Sequence, residues 1–134
     1  MARVQNLAET MMKFAEEIAK LSRCEERQVG AVITNSDMTK VYSIGYNGGA
    51  AGLADCLCVT DGKYGCIHAE INAMIKCTTE DDKKVMFVTL MPCKQCAAAI
   101  INAGFSKVYY REQWKDDTGK RMLHAAGIQC VFWP

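Results

Sequence analysis

The run KVMFVTL, at residues 84–90, constrains the fold more than any other segment of the chain. It is apolar enough to be a strand that is buried on both faces of a sheet. Two β-rich runs follow it, SKVYYR (106–111) and IQCVFW (128–133), and helical patterns at 94–104 and near 120–126 separate the three runs. Two strand–helix–strand units in succession predict right-handed crossovers that place helices over the sheet.

The segment before these units predicts a helix and a hairpin. Apolar residues recur at helical spacing from Val4 to Lys20. The runs VGAVIT (29–34) and KVYSIGY (40–46) are β-rich and flank a short polar turn. We therefore expect an α/β fold, a three-layer α-β-α sandwich around a mixed sheet of about five strands. No linker or internal repeat interrupts the pattern, so residues 1–134 are predicted to form a single domain.

Composition and charge exclude several classes of function. The net charge is +1 at pH 7 with both signs interspersed, which argues against a polynucleotide-binding protein. No apolar run is long enough to span a bilayer, and the first residues lack a secretory signal. We expect a cytoplasmic protein with no membrane partner, whose eight cysteines are buried, catalytic or metal-binding rather than paired.

Potential metal ligands fall at the predicted starts of two helices. The triplet His68-Ala69-Glu70 opens one helix, and Cys93 and Cys96 open the next, directly after Pro92. Two thiolates and an imidazole suit Zn²⁺, and three protein ligands leave a fourth position for water, as in catalytic sites. Glu70 is then placed to move protons beside that water.

Two other uses of the cysteines stay open. Cys66 could join His68, Cys93 and Cys96 in a closed structural zinc site that has no reactive water. The long loop at 47–65 also holds thiols that could bind a second zinc. That second set comprises Cys56, Cys58 and Cys66, with Cys24 as a further candidate.

The motifs resemble those of the zinc-dependent cytidine deaminase superfamily, whose signature is H-x-E followed by P-C-x-x-C. Here the signature is HAE at 68–70 and PCKQC at 92–96. The neighbouring runs RQVGAVI (27–33) and GYNG (45–48) are similar to those of the deoxycytidylate deaminases within that superfamily. The similarity runs from about Ser22 to the C-terminus.

The resemblance implies a reaction and residues for it. It implies a cytidine deaminase-like fold and one catalytic Zn²⁺ on His68, Cys93 and Cys96, with Glu70 as the proton shuttle. The reaction is hydrolysis of dCMP to dUMP and ammonia, and dCTP is a further candidate substrate. Asn47 matches the superfamily asparagine that touches the sugar or base, and Ala69 lies between the motif residues, in the expected substrate site.

The resemblance also implies regulation and assembly. Members of this family are commonly activated by dCTP, inhibited by dTTP and assembled as homohexamers. Arg27 and the segment Gly45, Tyr46, Asn47 and Gly48 are similar to the part that binds the regulatory nucleotide. Mg²⁺ is the cation expected to accompany that triphosphate.

The substrate phosphate and base need further contacts. Arg23, Arg111 and Lys115 flank predicted element ends and are candidates for the phosphate, with solvated surface charge as the alternative. Tyr110 and Trp114 are candidates to cover the base, with core packing as the alternative for Tyr110. Two other functions remain open at this point. These are a zinc deaminase acting on tRNA adenosine, free guanine or cytidine, and a non-catalytic zinc module.

Overall fold

The fold consists of helices and strands in the predicted alternation. The computed structural model describes residues 2–53 and 65–134. The helices within these ranges are α1 (Ala2–Ala19), α2 (Ala69–Lys76), α3 (Lys94–Ala103) and α4 (Thr118–Ala125). The strands are β1 (Gly30–Thr34), β2 (Val41–Tyr46), β3 (Lys84–Leu90), β4 (Phe105–Glu112) and β5 (Gln129–Phe132).

The strands form one mixed sheet in the order β2-β1-β3-β4-β5. The predicted hairpin pairs β1 with β2 antiparallel, and β1 also runs antiparallel to β3. β3, β4 and β5 are parallel to one another. The carboxyl ends of these three strands therefore lie along one edge, where open α/β sheets bind ligands.

Helices cover both faces of the sheet, which confirms the three-layer prediction. Of the helices in the described ranges, α1 is the one that packs on the first face, through residues such as Met12, Ala15 and Ile18. The other three helices share the second face, where Ala73, Ile100 and Leu123 belong to the second core cluster. β1 and most of β3 are buried, because each carries apolar side chains to both layers.

The helix boundaries follow local chemistry. Gly104 ends α3 in the left-handed conformation, with φ of 83°, as its position after the helical pattern predicts. α4 begins earlier than predicted, because the Asp116 carboxylate accepts hydrogen bonds from the backbone N–H and hydroxyl of Thr118 at 3.0 and 2.6 Å. None of the helices in the described ranges combines the length and apolar character needed to cross a bilayer.

No disulfide joins two cysteines within residues 2–53 and 65–134. Cys24, Cys96 and Cys130 are buried. Cys56 and Cys58 lie outside the described residues, so the predicted second zinc site in that loop stays a prediction.

Candidate active site

The starts of α2 and α3 bring three potential metal ligands together. His68 is the N-cap residue of α2, Cys93 is the N-cap residue of α3, and Cys96 lies in the first turn of α3. His68 Nδ1 is 3.2 Å from Cys96 Sγ and 3.5 Å from Cys93 Sγ. All three donor atoms lie within 4.8 Å of one another. The predicted cluster at two helix starts is thus confirmed.

The spacing of these donors fits a zinc ion. Tetrahedral coordination at roughly 2.3 Å for sulfur and 2.05 Å for nitrogen separates a sulfur from a nitrogen ligand by about 3.6 Å. The two nitrogen–sulfur distances in the cluster are close to that value. Among the described residues the cluster holds three donors and does not include Cys66, the thiol that a closed site requires. The geometry therefore favours a site with a fourth position for water.

The three groups are arranged around one thiolate. Hydrogen bonds from Cys96 and His68 lower the pKa of Cys93 to about 3. The hydrogen bond between His68 and Cys93 raises the pKa of His68. The hydrogen bond between Cys96 and Cys93, together with burial, raises the pKa of Cys96. Ligands that hold protons in this way release them when a cation binds. The cluster is therefore chemically suited to exchange protons for a metal.

Glu70 lies beside the cluster with its carboxyl group buried. Only 4% of the residue is exposed, and it contributes to the wall of a cavity. Burial disfavours the carboxylate and raises the pKa of Glu70 to about 7, although a backbone hydrogen bond and the His68 charge oppose that effect. A carboxyl group with a pKa near neutrality can both accept and donate a proton.

A cavity of about 560 Å³ opens in front of Glu70, His68 and Cys93. This volume lies within the range of small-molecule sites. Its apolar wall is formed by Val29, Leu90, Met91 and Trp114. Leu90 and Met91 were not recognised as site residues from the sequence, although Leu90 ends the buried strand β3 and Met91 precedes the Pro-Cys motif, a position that could have indicated them.

Arg27 lines the same cavity. Its guanidinium lies 5.0 Å from the centre of the Trp114 ring, and Nη1 is 3.1 Å from Glu112 Oε2. Among the cavity-lining residues that the structure describes, Arg27 is the one lysine or arginine. The sequence placed Arg27 in a regulatory site, whereas the structure brings it to the cavity of His68 and Glu70. Trp114 also lines the cavity, as its predicted role requires.

Asn47 lines the cavity, as predicted, and it holds the segment that carries Arg27. The Asn47 side chain donates from Nδ2 to the Arg27 carbonyl oxygen at 2.7 Å and accepts from the Val29 N–H at 2.8 Å. Each end of the amide is thus engaged with backbone. An asparagine amide can donate two and accept two hydrogen bonds, so capacity for a ligand remains.

Two residues predicted to contact substrate lie elsewhere, and those predictions are wrong. Tyr110 is fully buried in the core, and its hydroxyl accepts a hydrogen bond from Lys120 Nζ at 2.7 Å. Arg111 points to the α1 side of the sheet, where it pairs with Glu9 at 3.2 Å and Glu16 at 3.4 Å. Arg111 was a candidate because it flanks the end of a predicted strand, and Tyr110 was a candidate to cover the base, with the core packing now observed as its alternative.

The remaining predicted residues divide between the cavity and its support. Ala69 lines the cavity, whereas the exposed Arg23 and Lys115 are not among its described walls. Gly45 packs against the backbone of α2, and the Tyr46 carbonyl oxygen accepts from Asn72 Nδ2 at 2.9 Å. Gly48 pairs with Ile67 just before α2. The segment 45–48 thus supports the helix that carries His68 and Glu70.

Known proteins share this arrangement. Residues 5–112 match the family model described as the cytidine and deoxycytidylate deaminase zinc-binding region. The chain is 32% identical to an uncharacterized deaminase of the luxG 3′ region in Aliivibrio fischeri, over 98% of this chain and 96% of the relative. It is 38% identical to deoxycytidylate deaminase of Homo sapiens, over 90% of this chain and 75% of the human protein.

Solved structures show the same similarity. The crystal structure of dCMP deaminase from the cyanophage S-TIM5 in complex with dCMP and dUMP superposes with a TM-score of 0.87 at 30% identity. The match covers 96% of this chain and 97% of the phage protein. The chain therefore belongs to the cytidine and deoxycytidylate deaminase family and is a zinc-dependent deaminase, as the motifs at 68–70 and 92–96 predicted.

Proposed function

We propose that this protein hydrolyses dCMP to dUMP and ammonia, with Zn²⁺ held by His68, Cys93 and Cys96. One observation carries the proposal. A donor set spaced for zinc and the buried Glu70 share a cavity with Arg27, in a chain similar over its whole length to a phage dCMP deaminase. The cavity thus offers proton-transfer chemistry for a base and a positive charge for a phosphate.

Glu70 is proposed to perform the proton transfers. Zinc, when bound, supplies the Lewis acidity that makes water reactive near neutral pH. Glu70 takes a proton from the attacking water and delivers it to N3 of the cytosine ring. It then passes the second proton of the water to the amino group, which leaves as ammonia while the C4 carbonyl forms. A carboxyl group with a raised pKa suits both directions of transfer.

Arg27 is proposed to bind the 5′-phosphate. Its present partner is the exposed carboxylate of Glu112, with which a phosphate dianion can compete for the guanidinium. Glu26 also lines the cavity. Each further phosphate adds negative charge close to these two carboxylates, and the resulting repulsion grows with the total charge, so we expect the monophosphate to be preferred over dCTP. We therefore assign Arg27 to the substrate site rather than to a regulatory site.

Regulation and assembly remain predictions from the family resemblance. They comprise activation by dCTP, inhibition by dTTP, Mg²⁺ bound with the triphosphate, and a homohexamer. Cytoplasmic location likewise stays a prediction from the sequence. The substrate assay below includes both triphosphates and so tests the regulatory part directly.

A substrate panel tests the proposal. Zinc-loaded protein is incubated with dCMP, dCTP, cytidine or guanine, each with and without dTTP, and dCMP is also assayed in the presence of dCTP; products are separated by chromatography. We expect dCMP to give the highest kcat/KM and to yield dUMP. Turnover of cytidine or guanine without turnover of dCMP would reject the proposed substrate and support the deaminases of other bases. An unchanged dCMP rate in the presence of dTTP and of dCTP would reject the regulation.

A further inference from the structure

Gly45, Gly119 and Gly30 are the described glycines at which an added Cβ would come within 2.5 Å of another backbone segment. Gly45 in β2 faces α2, where an added Cβ would lie 2.4 Å from the Ala73 nitrogen and 2.5 Å from the Ala69 oxygen. Gly119 in α4 faces the residues before α3, where a Cβ would lie 2.3 Å from the Pro92 oxygen and 2.8 Å from the Cys93 oxygen. Gly30 in β1 faces α1 on the opposite side of the sheet. Each glycine is required for space.

Two of these contacts fall on the residues that carry the zinc cluster. The Cys93 carbonyl oxygen, which Gly119 approaches, accepts the Ala97 N–H at 2.9 Å and so begins α3. Ala69, which Gly45 approaches, lies between His68 and Glu70 in the chain. A shift at either contact is therefore transmitted to a metal ligand within one residue.

We propose that Gly45 and Gly119 are positioning residues of the zinc centre. Because Gly45 has no side chain, β2 can pack directly against the start of α2, which carries His68. Because Gly119 has no side chain, α4 can pack directly against the start of α3, which carries Cys93 and Cys96. These two contacts together set the separation between the ligands of the two helices. The inference rests on the zinc ligands of the proposed function, but it is independent of which nucleotide the protein deaminates.

The size of the steric conflict supports this role. Ordinary van der Waals contact begins at 3.4 Å, so an alanine at Gly45 or Gly119 must displace backbone by about 1 Å. Metal–ligand distances tolerate deviations of only about 0.2 Å. The atoms in conflict are backbone rather than the end of a flexible side chain, so the shift is not absorbed by a rotamer change. We therefore expect part of the displacement to reach the ligands.

Gly30 provides a matched control. A Cβ at Gly30 would lie 2.1 Å from the Ala15 oxygen of α1, a conflict at least as severe as the other two. Gly30 is in β1, one strand away from Gly45, and α1 carries none of the proposed ligands. Alanine at Gly30 should therefore lower stability without moving the zinc cluster.

The experiment compares Gly45→Ala, Gly119→Ala and Gly30→Ala in the full chain. The zinc dissociation constant is measured by competition with a chromophoric chelator, and the Co²⁺-substituted proteins are compared by visible absorption. We expect Gly45→Ala and Gly119→Ala to weaken zinc binding by about 10- to 100-fold and to alter the Co²⁺ spectrum. Gly30→Ala should lower the Tm but keep a wild-type Co²⁺ spectrum. Equal zinc affinities in all three variants would overturn the proposal.

If an alanine variant does not fold, the wild type provides the test. Removing zinc should speed amide hydrogen exchange at Gly45 and at Arg121, whose N–H donates to the Asp117 carbonyl oxygen at 3.0 Å in the first turn of α4, and leave Gly30 unchanged. The same response at all three amides would overturn the proposal. None of these readouts depends on nucleotide turnover, so failure here is distinguishable from failure of dCMP as the substrate.

Discussion

Two clusters of charged groups lie on opposite faces of the sheet, and they differ in how their carboxyl groups are stabilised. The zinc cluster consists of His68, Glu70, Cys93 and Cys96. The arginine cluster consists of Arg111, Glu9, Glu16 and Trp133. In the arginine cluster, Trp133 Nε1 donates to Glu9 at 2.8 Å, and Arg111 pairs with both carboxylates.

The difference appears in the two buried or partly buried carboxyl groups. Hydrogen bonds from Trp133 and Arg111 lower the pKa of Glu9, because they stabilise its carboxylate. Burial raises the pKa of Glu70, because its charged form lacks comparable stabilisation. The carboxylates of the arginine cluster are paired with Arg111, although Arg111 Nε is buried with no hydrogen-bond partner among the described residues. The zinc cluster instead opens onto the cavity and fits a cation. Convergence of charged residues marks a functional site only when the charges remain incompletely paired and a ligand can reach them.

Among the variants of the two clusters, Glu70→Gln should have the largest effect on turnover. Glutamine keeps the size of the side chain but cannot shuttle protons, so kcat for dCMP should fall by about 100- to 10,000-fold. Bound zinc, measured by atomic absorption, and the Tm should stay close to those of the wild type. Glu9→Gln in the arginine cluster is the matched control and should retain turnover. Equal turnover in the two variants would show that Glu70 does not have the assigned role.

Arg27→Ala should have the next largest effect. Loss of a charge-assisted contact with phosphate is expected to cost about 1.5–3 kcal/mol, which corresponds to a fall of about 10- to 150-fold in kcat/KM for dCMP. Cytidine lacks the phosphate, so its kcat/KM should change far less. The effect should be carried mainly by KM if the contact is made equally in the ground state and the transition state.

Arg111→Ala tests whether the arginine cluster on the opposite face of the sheet contributes to substrate binding. Arg111 is held by Glu9 and Glu16, away from the cavity, so this variant should retain the wild-type KM for dCMP while its Tm falls. A raised KM in Arg111→Ala together with a normal KM in Arg27→Ala would reverse our assignment of the phosphate contact.

The sequence predicts the fold and the zinc cluster well because both depend on local patterns. The apolar run at 84–90 forms β3 without a shift of boundary, and the left-handed Gly104 ends α3 as expected. His68, Cys93 and Cys96 were identified because their spacing and their positions at helix starts leave few geometric alternatives. The supersecondary topology then brings the two helix starts to one edge of the sheet.

The positions of the individual arginine side chains could not be predicted in the same way. Arg111 is 102 residues from Glu9 in the chain, and its side chain points to the face that α1 covers. A change of one residue in strand register reverses that direction, so the strand pattern alone does not decide it. Arg27 lies before β1 rather than at the carboxyl end of a strand, and its approach to Trp114 depends on the loop after β4.

The smallest expected effect concerns the stability of the arginine cluster. The folded-state pKa of Glu9 is lowered, so its interactions stabilise the fold above the unfolded-state value of about 4.3 and are lost as pH falls through the lower folded value. The Glu9 side chain is 35% exposed, so solvent screening limits the contribution at pH 7 to about 1 kcal/mol or less. Urea unfolding should show this difference between the wild type and Glu9→Gln.

Measuring apo protein keeps zinc release out of the pH dependence, because the zinc ligands also take up protons as pH falls. The difference between wild type and Glu9→Gln should shrink as pH falls from the unfolded-state value of about 4.3 through the lower folded-state pKa of Glu9, below which both side chains are neutral. Glu17→Gln on the same helix is the control, because Glu17 pairs only with the exposed Lys20 among the described contacts. A constant difference across the pH range would show that Glu9 contributes through packing rather than through its charge.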